Sequence, residues 1–240
     1  MTQYTRAPLV EAVVDIQFSD AVSMRELERL RDRFTSQYPS IEEWAQYQFT
    51  IGANDAQTSR TLTGYKLTKT DATGIVIVQN KGITSSALAP YPGWNELFKT
   101  SKKNFDQLLK IVPHPTVVRI AAKFVNRIDI PSKLVEGRGV NEFVQIGPAV
   151  PAGLANAISS YSVALNFSEA TSGADVLVHA GAADPLLIGF VSLQLDIDVY
   201  SAKDIPSRFD EMWAKIASFR EVKNRIFELS ITDAVREVIK

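Results

Sequence analysis

Two aspartates and three basic residues are the side chains of this sequence best placed to do chemistry. Asp196 and Asp198 lie two positions apart in a strand-like stretch, so both carboxylates project from one face of a sheet. Arg119, Lys123 and Arg127 recur at intervals of four in a second such stretch and also share a face. A close cluster of carboxylates could bind a metal ion or raise the pKa of one acid.

A second interpretation of the same residues needs no ligand. Glu11 and Asp15 add two more acids in a third strand-like stretch, so two of the three stretches are acidic and one is basic. Opposite charges that face each other across neighbouring strands stabilise a sheet. Cross-strand pairing balances these charges without a substrate, and we favour it over a metal or catalytic site.

Asn126 stands out because it occupies an apolar position of its strand, between Phe124 and Ile128. A buried amide needs hydrogen-bond partners, and without them it costs about 1–3 kcal/mol. Two roles remain open. Asn126 either satisfies main-chain groups at a bulge or a helix end, which is the favoured role, or lines an internal site.

The remaining residues exclude several kinds of chemistry. The chain has no cysteine, so it forms no disulfide, thiolate nucleophile or cysteine-ligated zinc site. It has two histidines; we expect His114 in a loop between prolines and His179 on a sheet surface. Gly137-Arg138-Gly139 lacks the third glycine and the following helix cap of a glycine-rich phosphate loop, so we do not expect it to bind a phosphate. We expect neither a metal nor a cofactor.

Three long strands must position these residues: Leu9–Phe18, Val117–Ile130 and Leu187–Tyr200. Each alternates strictly between apolar and polar residues, which is typical of a strand with one buried face. Shorter strands are predicted at Trp44–Ile51, Thr61–Lys69, Ile75–Asn80, Tyr161–Phe167 and Val176–Ala180. A turn with Gly74 at positive φ is expected between the third and fourth strands along the chain.

Three helices are predicted from apolar spacing and end signals. The first begins with a capping box, Ser23 with Glu26, and ends near Pro39. The second carries an apolar stripe from Trp94 to Val112. The third begins near Pro206, a proline suited to a first helical turn.

Less regular stretches complete the chain. Residues 131–157 are rich in proline and glycine, with short helices possible at 140–146 and 152–159. Thr232 is expected to cap a short terminal helix.

The predicted elements give an α+β fold with a mostly antiparallel sheet and helices packed on one face. The first half reads strand, helix, three strands and helix. The second reads strand, irregular or short helical segment, three strands and helix, and this similar order indicates a duplicated unit. We therefore predict a first α+β half at 1–115 and a second at 116–240, intimately joined as one unit.

Charge and hydropathy limit the partners. The formal net charge is -1, so no overall field attracts nucleic acid or an anionic membrane. Tyr47, Phe49 and Tyr65 lie on predicted strands but lack interleaved lysine and arginine, which argues against nucleic-acid binding. No membrane span or signal peptide is expected, and the sequence fits a cytoplasmic protein. A homodimer is compatible with the sequence because symmetric dimers are common, although no heptad run indicates one.

Three segments together resemble a known family. The opening Pro8–Phe18, the central Phe124–Ile128 and the closing Phe227–Asp233 are similar to motifs of a sporadically distributed bacterial protein family of about this length, without an assigned biochemical function. The resemblance implies a stand-alone cytoplasmic protein and draws attention to Asn126 and Arg127. Where that family often has a histidine on its last long helix, this chain has Lys223.

Two functions follow from these observations. The favoured one is a non-enzymatic binding or interaction protein that uses the polar sheet face or residues 131–157 to hold a protein or small-molecule partner. The resemblance adds an accessory or defence-type role. The alternative is an enzyme acting on a small or nucleotide-like substrate, with Asp196, Asp198, Arg119 and Arg127 as its site.

Overall fold

Alternating strands dominate the fold, as the sequence predicts. The computed structural model describes residues 4–52, 56–151, 153, 158 and 160–240. The described residues form nine β-strands and five α-helices, so the predicted α+β class with a mostly antiparallel sheet is confirmed. The elements are β1 Leu9–Phe18, α1 Met24–Phe34, β2 Ser40–Ile51, β3 Ala56–Thr68, β4 Gly74–Gln79, β5 Gly82–Leu88, α2 Trp94–Leu109, β6 Val117–Pro131, α3 Ser132–Val135, a 3-10 helix Val140–Glu142, β7 Ser162–Ser168, β8 Asp175–Ala183, β9 Phe190–Ser201, α4 Phe209–Ser230 and α5 Asp233–Ile239.

The chain divides into two compact units, which are described separately. The N-unit comprises Val13–Ile120 and Ala202–Trp213, and the C-unit comprises Met1–Ala12, Ala121–Ser201 and Ala214–Lys240. The divisions fall inside β1, β6 and α4. The duplication and the halves at 1–115 and 116–240 remain predictions.

The N-unit contains strands in the order β2-β3-β4-β5-β1. The pairings β2–β3, β3–β4 and β4–β5 are antiparallel. Helix α1 packs on β3 and β4, and α2 packs on β5. One face of each long strand is buried, as period two requires: Val14, Ile16 and Phe18 of β1 are each 2% exposed. The N-unit therefore has its own apolar core.

Helix α1 begins where the sequence predicts. The Ser23 hydroxyl accepts a hydrogen bond from the Glu26 main-chain N–H, and the Glu26 carboxylate accepts one from the Ser23 N–H at 2.9 Å. This capping box satisfies main-chain donors at the start of the helix. The helix ends at Phe34, earlier than the predicted end near Pro39, because the next residues form a turn closed by the Tyr38 N–H on the Phe34 carbonyl.

The C-unit contains strands in the order β6-β9-β8-β7, with β7–β8 and β8–β9 antiparallel. Its core includes Phe124 and Ile128 of β6 and Leu195 and Ile197 of β9, none more than 1% exposed. Helix α4 packs over β6, where Lys223 lies above the Phe124 ring. None of the helices in the described part of the chain is long and apolar enough to span a membrane.

Strand β5 is the element that the sequence prediction missed. It consists of Gly82-Ile83-Thr84-Ser85-Ser86-Ala87-Leu88, in which small and polar residues hide the usual alternation. Two of its serines, Ser85 and Ser86, are nevertheless buried. Ser85 accepts a hydrogen bond from the buried Asn104 amide at 3.0 Å, which compensates for burying its hydroxyl.

Several boundaries differ from the prediction for local reasons. Gly74 begins β4, while Ala72 takes the positive φ of 56° in the preceding turn. Strand β9 begins at Phe190, three residues after the predicted start, because Gly189 has a positive φ of 82°. Helix α4 begins at Phe209 rather than near Pro206, and the Met212 N–H bonds to the Arg208 carbonyl.

The described part of the irregular stretch 131–157 is mostly non-helical. It holds the four-residue α3 and the three-residue 3-10 helix instead of a helix over 140–146. The helix predicted at 152–159 lies outside the described residues for most of its length. Thr232 precedes α5 as expected, but its hydroxyl donates to the Glu142 and Phe143 carbonyls instead of capping α5.

Candidate functional site

Two charged residues of the N-unit, one on β1 and one on β6, are paired within the sheet. Arg119 of β6 forms a salt bridge with Asp15 of β1, with 3.1 Å between Nη1 and Oδ2. Asp15 also accepts hydrogen bonds from Thr84 at 2.7 Å and from Gln17 at 2.9 Å. This arrangement agrees with the cross-strand pairing that the sequence favoured.

The charged residues of the C-unit are paired as well. Lys123 Nζ lies 3.5 Å from Oδ2 of Asp196, which also accepts a hydrogen bond from Gln194 at 3.0 Å. Asp196 is 8% exposed, and its Oδ1 accepts no hydrogen bond from the described residues. Asp198 follows two residues later on β9, opposite Leu177 of β8.

Arg127 differs from the other two basic residues because its acidic partner lies on its own strand. Its Nε donates to Asp129 at 3.0 Å, and its Nη2 donates to the Ser192 hydroxyl at 2.9 Å and to the Asp184 carbonyl. Ser192 in turn donates to Asp129. These bonds tie β6 to the start of β9 and to the turn that precedes it.

Asn126 is buried, with 2% exposure, as its place among the apolar positions of the strand indicated. Its side-chain amide donates to the Leu195 carbonyl of β9 at 2.8 Å and to the Phe124 carbonyl at 3.4 Å. The first bond is short enough to satisfy a buried donor well. The favoured structural role, satisfaction of main-chain groups, therefore matches the geometry.

The two histidines lie in different surroundings in the described structure, and His179 of β8 lies opposite Asp196 of β9. His114 is exposed in the loop before β6, and His179 shares a 2.8 Å hydrogen bond with Ser162 on the sheet surface. Residues 4–52, 56–151, 153, 158 and 160–240 contain no group of three or more acidic or histidine side chains that could hold a metal ion.

A cavity in the C-unit, which sequence reasoning did not identify, is the stronger candidate for a site. The C-unit cavity has a volume of about 230 Å³ and lies between the irregular segment and the sheet. Its lining residues are mostly apolar: Ile130, Val135, Val140, Phe143, Ile158, Ala182, Val191 and Leu193, together with Arg138, Ser160 and Tyr161. An apolar wall with a few polar groups is the usual character of a small-molecule site.

The segment that covers this cavity is fixed at several points. The Ser132 N–H donates to the Gly189 carbonyl at 2.8 Å, and the Gln145 N–H donates to the Ser230 carbonyl at 2.8 Å. Val144 forms an isolated antiparallel bridge with Ile231. Phe143 is thereby held in the wall with 2% exposure. The cavity is therefore shaped by main-chain hydrogen bonds rather than by side chains alone.

Arg138 supplies the positive charge of the C-unit cavity. Its guanidinium lies 4.5 Å from the centre of the Phe143 ring, and its Nε donates to Glu142 at 2.8 Å. Two hydrogen bonds lower the pKa of Glu142 below its usual value. The larger effect comes from Arg138 and the smaller from the Gly139 N–H. Because the Gly139 N–H donates to Glu142, the Gly137-Arg138-Gly139 fragment holds the protein's own carboxylate.

Tyr161 is the unusual polar residue of this cavity. Its hydroxyl is buried and has no hydrogen-bond partner among the described residues. Burial raises the pKa of Tyr161 above the usual value, so the hydroxyl keeps its proton and remains a donor. The sequence signal is ambiguous, because a tyrosine at the first position of a predicted strand also suits ordinary packing.

The N-unit contains a second cavity, of about 250 Å³. Its wall mixes Lys69 with Glu96 and includes the hydroxyls of Tyr38, Thr73, Ser86 and Thr100. Tyr38 already accepts a hydrogen bond from Asn104 at 3.0 Å. With both charges and a partnered tyrosine, this cavity gives a weaker indication of a particular ligand than the C-unit cavity does.

Lys223 is the residue with the most perturbed pKa among the basic groups of the C-unit. Its ammonium lies 4.7 Å from the centre of the Phe124 ring and 5.8 Å from that of Phe227, and donates to Asn224 at 3.2 Å. Burial, and then the charge of Arg220, lowers the pKa of Lys223 to about 8. The lysine therefore approaches the titration range of a histidine.

Comparison with known proteins gives little further information. No family model matches the chain, and no curated protein matches its sequence. The crystal structure of the di-domain ARO/CYC BexL from the BE-7585A biosynthetic pathway is 10% identical, with 96% of this chain and 98% of that chain covered at a TM-score of 0.22. A likeness this slight supports no conclusion about fold or function.

Asn126→Leu is expected to lower the free energy of unfolding by about 1–3 kcal/mol, because the Leu195 carbonyl loses its donor. Urea denaturation of the variant and the wild type measures this loss. Asn95→Leu, the same change at an exposed position of α2, serves as the control and should have little effect. An Asn126→Leu variant as stable as the wild type would contradict the structural role.

Lys223→Met is expected to stabilise the protein most at a pH below about 8. There the lysine is charged in both states, and burial penalises the charge in the folded state alone. Between about pH 8 and 10.5 the unfolded chain binds the extra proton, so wild-type stability rises and the difference shrinks. Urea denaturation across this range tests the trend, and a difference that grows with pH would contradict it.

Proposed function

We propose that this protein is a non-enzymatic binding protein of the bacterial cytoplasm, and that the C-unit cavity holds its ligand. The ligand would have a small apolar body and one anionic or hydrogen-bond-accepting end. The observation that carries the proposal is the buried Tyr161 hydroxyl, which lacks a partner among the described residues. An unsatisfied buried donor costs about 1–3 kcal/mol, and a ligand acceptor would remove that cost.

The charge of the cavity supports an anionic end on the ligand. Arg138 is the single charged residue among the described lining residues, and its guanidinium is oriented by Glu142 and Phe143. Guanidinium groups bind carboxylates and phosphates through charge-assisted hydrogen bonds. The remaining lining is mostly apolar and would contact the body of the ligand.

The chemistry of the same wall supports binding rather than catalysis. Its described polar residues are one arginine and two hydroxyl residues, Ser160 and Tyr161. None of these has a histidine or carboxylate beside it in the lining that could act as general base, as activation of a hydroxyl nucleophile requires.

The alternative function, an enzyme with a carboxylate and arginine site on the polar sheet face, has less support. Arg119 and Lys123 are engaged with Asp15 and Asp196 respectively. An anionic substrate would have to compete with these carboxylates. Arg138 is paired as well, with Glu142 through Nε, but its Nη2 has no partner among the described residues and is left for a ligand. The accessory or defence-type role remains part of the proposal, and it is supported by the resemblance of the three motifs to the bacterial family.

Calorimetric titration with octanoate, an apolar chain with one carboxylate, tests the proposed site. We expect octanoate to bind more tightly than 1-octanol, because Arg138 favours the anion. Arg138→Gln and Tyr161→Phe should each weaken octanoate binding by roughly tenfold to a hundredfold, as expected for lost hydrogen bonds to a charged group. Arg225→Gln removes a surface charge that pairs with Glu169 and should leave binding unchanged.

Stability measurements separate a binding role of Tyr161 from a folding role. Tyr161→Phe removes a hydroxyl that is unsatisfied in the ligand-free protein, so the free energy of unfolding should stay the same or rise. Failure of the wild type to bind octanoate, or equal binding by all variants, would count against the cavity as an anionic-ligand site. A Tyr161→Phe variant that unfolds more easily would show that the hydroxyl has a structural role.

A further inference from the structure

Strand β2 is a long edge strand of the N-unit. It stands at the end of the strand order, and in the described structure it pairs with β3 alone. Its side chains from Ser40 to Thr50 are all exposed except that of Ala45, which is partly exposed. The outer main-chain edge of a strand presents N–H and C=O groups that can pair with another strand.

The residue types of β2 do not protect this edge. Natural edge strands commonly carry lysine, proline or a very short length to prevent pairing with other chains. Strand β2 has twelve residues, SIEEWAQYQFTI, with no lysine and no proline. It is rich in the aromatic and β-branched residues that favour strands. Such an edge is suited to pairing with a further strand.

The two faces of β2 differ in chemistry. The β2–β3 pairing shifts register between Trp44 and Ala45, but the extra residue lies on β3. The alternation of side chains therefore continues along β2, and one face carries Ile41, Glu43, Ala45, Tyr47 and Phe49. Ile41 is 41% exposed, Tyr47 is 56% exposed and Phe49 is 71% exposed. An exposed apolar surface of this kind marks an interaction site more often than an isolated apolar residue does.

The strand is complementary to itself in one antiparallel register. If Ala45 lies opposite Ala45 of a second copy, Ile41 faces Phe49 and Glu43 faces Tyr47. On the other face Glu42 meets Gln48 and Trp44 meets Gln46. Ile41, Ala45 and Phe49 then meet apolar residues, each glutamate meets an uncharged side chain (Tyr47 or Gln48), and no like charges face each other.

Neighbouring registers match less well. Shifting the centre to Gln46 places Glu43 opposite Phe49, so a carboxylate meets an apolar ring. Shifting it to Trp44 leaves Phe49 beyond the end of the paired strand. In its own chain, Arg60 donates to the Tyr47 hydroxyl at 3.2 Å and to Glu43, so both residues are already ordered for such a contact.

We propose that the β2 edge is a homodimer interface, in which two copies of the chain pair through antiparallel β2 strands with Ala45 at the two-fold axis. Each dimer would join the two sheets edge to edge and cover part of the exposed Ile41, Tyr47 and Phe49 side chains. An antiparallel two-fold arrangement is isologous, so the assembly closes at two copies. This inference rests on the N-unit alone and is independent of the proposed ligand cavity.

Sedimentation of the full chain tests the dimer. The wild type should sediment with twice the mass of one chain, and Ala45→Lys should halve that mass because two lysines would face each other at the axis. Ala164→Lys makes the same change on β7, the edge strand of the C-unit, and should leave the dimer intact. A monomeric wild type, or an Ala45→Lys variant that stays dimeric, would overturn the proposal.

Cysteine pairing tests the register and does not depend on the fold tolerating a lysine. The chain has no cysteine, so each single-cysteine variant reports one position. Residues opposite each other in an antiparallel pair have Cα atoms about 4.5–5.5 Å apart, within the range that a disulfide spans. A mixture of Ile41→Cys and Phe49→Cys chains should therefore oxidise to a mixed disulfide dimer.

The same two variants taken singly provide the matched control. In the proposed register Ile41 of one copy lies eight residues along the strand from Ile41 of the other, so neither variant alone should form the disulfide at a comparable rate. Preferential formation of the mixed dimer, seen by mass spectrometry, supports the proposed interface. Equal self-pairing of each variant, or no disulfide in any sample, would overturn it.

Discussion

The two faces of the long strands are the constraint on which the structure depends. One face of β1, β6 and β9 is buried, so every charge on these strands must lie on the other face or find a partner. The strands meet this constraint with internal pairs, Arg119 with Asp15 and Lys123 with Asp196. A face whose charges satisfy each other holds the sheet in register and leaves little charge for a ligand.

Binding sites are therefore expected where the alternation of buried apolar and exposed polar side chains stops. The irregular segment after β6 is one such place, because it encloses an apolar cavity with one arginine and one unsatisfied hydroxyl. Strand β2 is another such place. Helix α1 packs on β3 and β4, and the apolar side chains of β2 remain exposed. The first place suits a small ligand and the second suits another copy of the chain.

The sequence predicts the regular parts of the fold well because their signals are local. The bounds of β1 agree residue for residue with the apolar alternation, and the capping box of α1 forms as expected. Asn126 was identified as a buried amide because it is a polar residue at an apolar position of β6. Strand β5 was missed because its buried positions include the polar residues Ser85 and Ser86. Ser85 is satisfied by Asn104, a partner distant in sequence that leaves no periodic signal.

The candidate site was harder to predict than the fold. The sequence identified charged candidates, namely Asp196, Asp198 and the three basic residues. A sequence does not distinguish charges that pair with each other from charges that bind a ligand. The cavity is lined by residues between 130 and 193 that are distant in sequence and are brought together in part by main-chain hydrogen bonds such as Ser132 to Gly189. Nothing in the spacing of Arg138 and Tyr161 indicates that they line the same space.

One calorimetric comparison tests the central claim, that the ligand site is the cavity and not the charged sheet face. Octanoate would be titrated into two variants, the double neutralisation Lys123→Gln/Asp196→Asn and the single change Arg138→Gln. The double variant should bind octanoate as the wild type does, and Arg138→Gln should bind it much more weakly. Loss of binding in the double variant, with full binding retained by Arg138→Gln, would contradict the account.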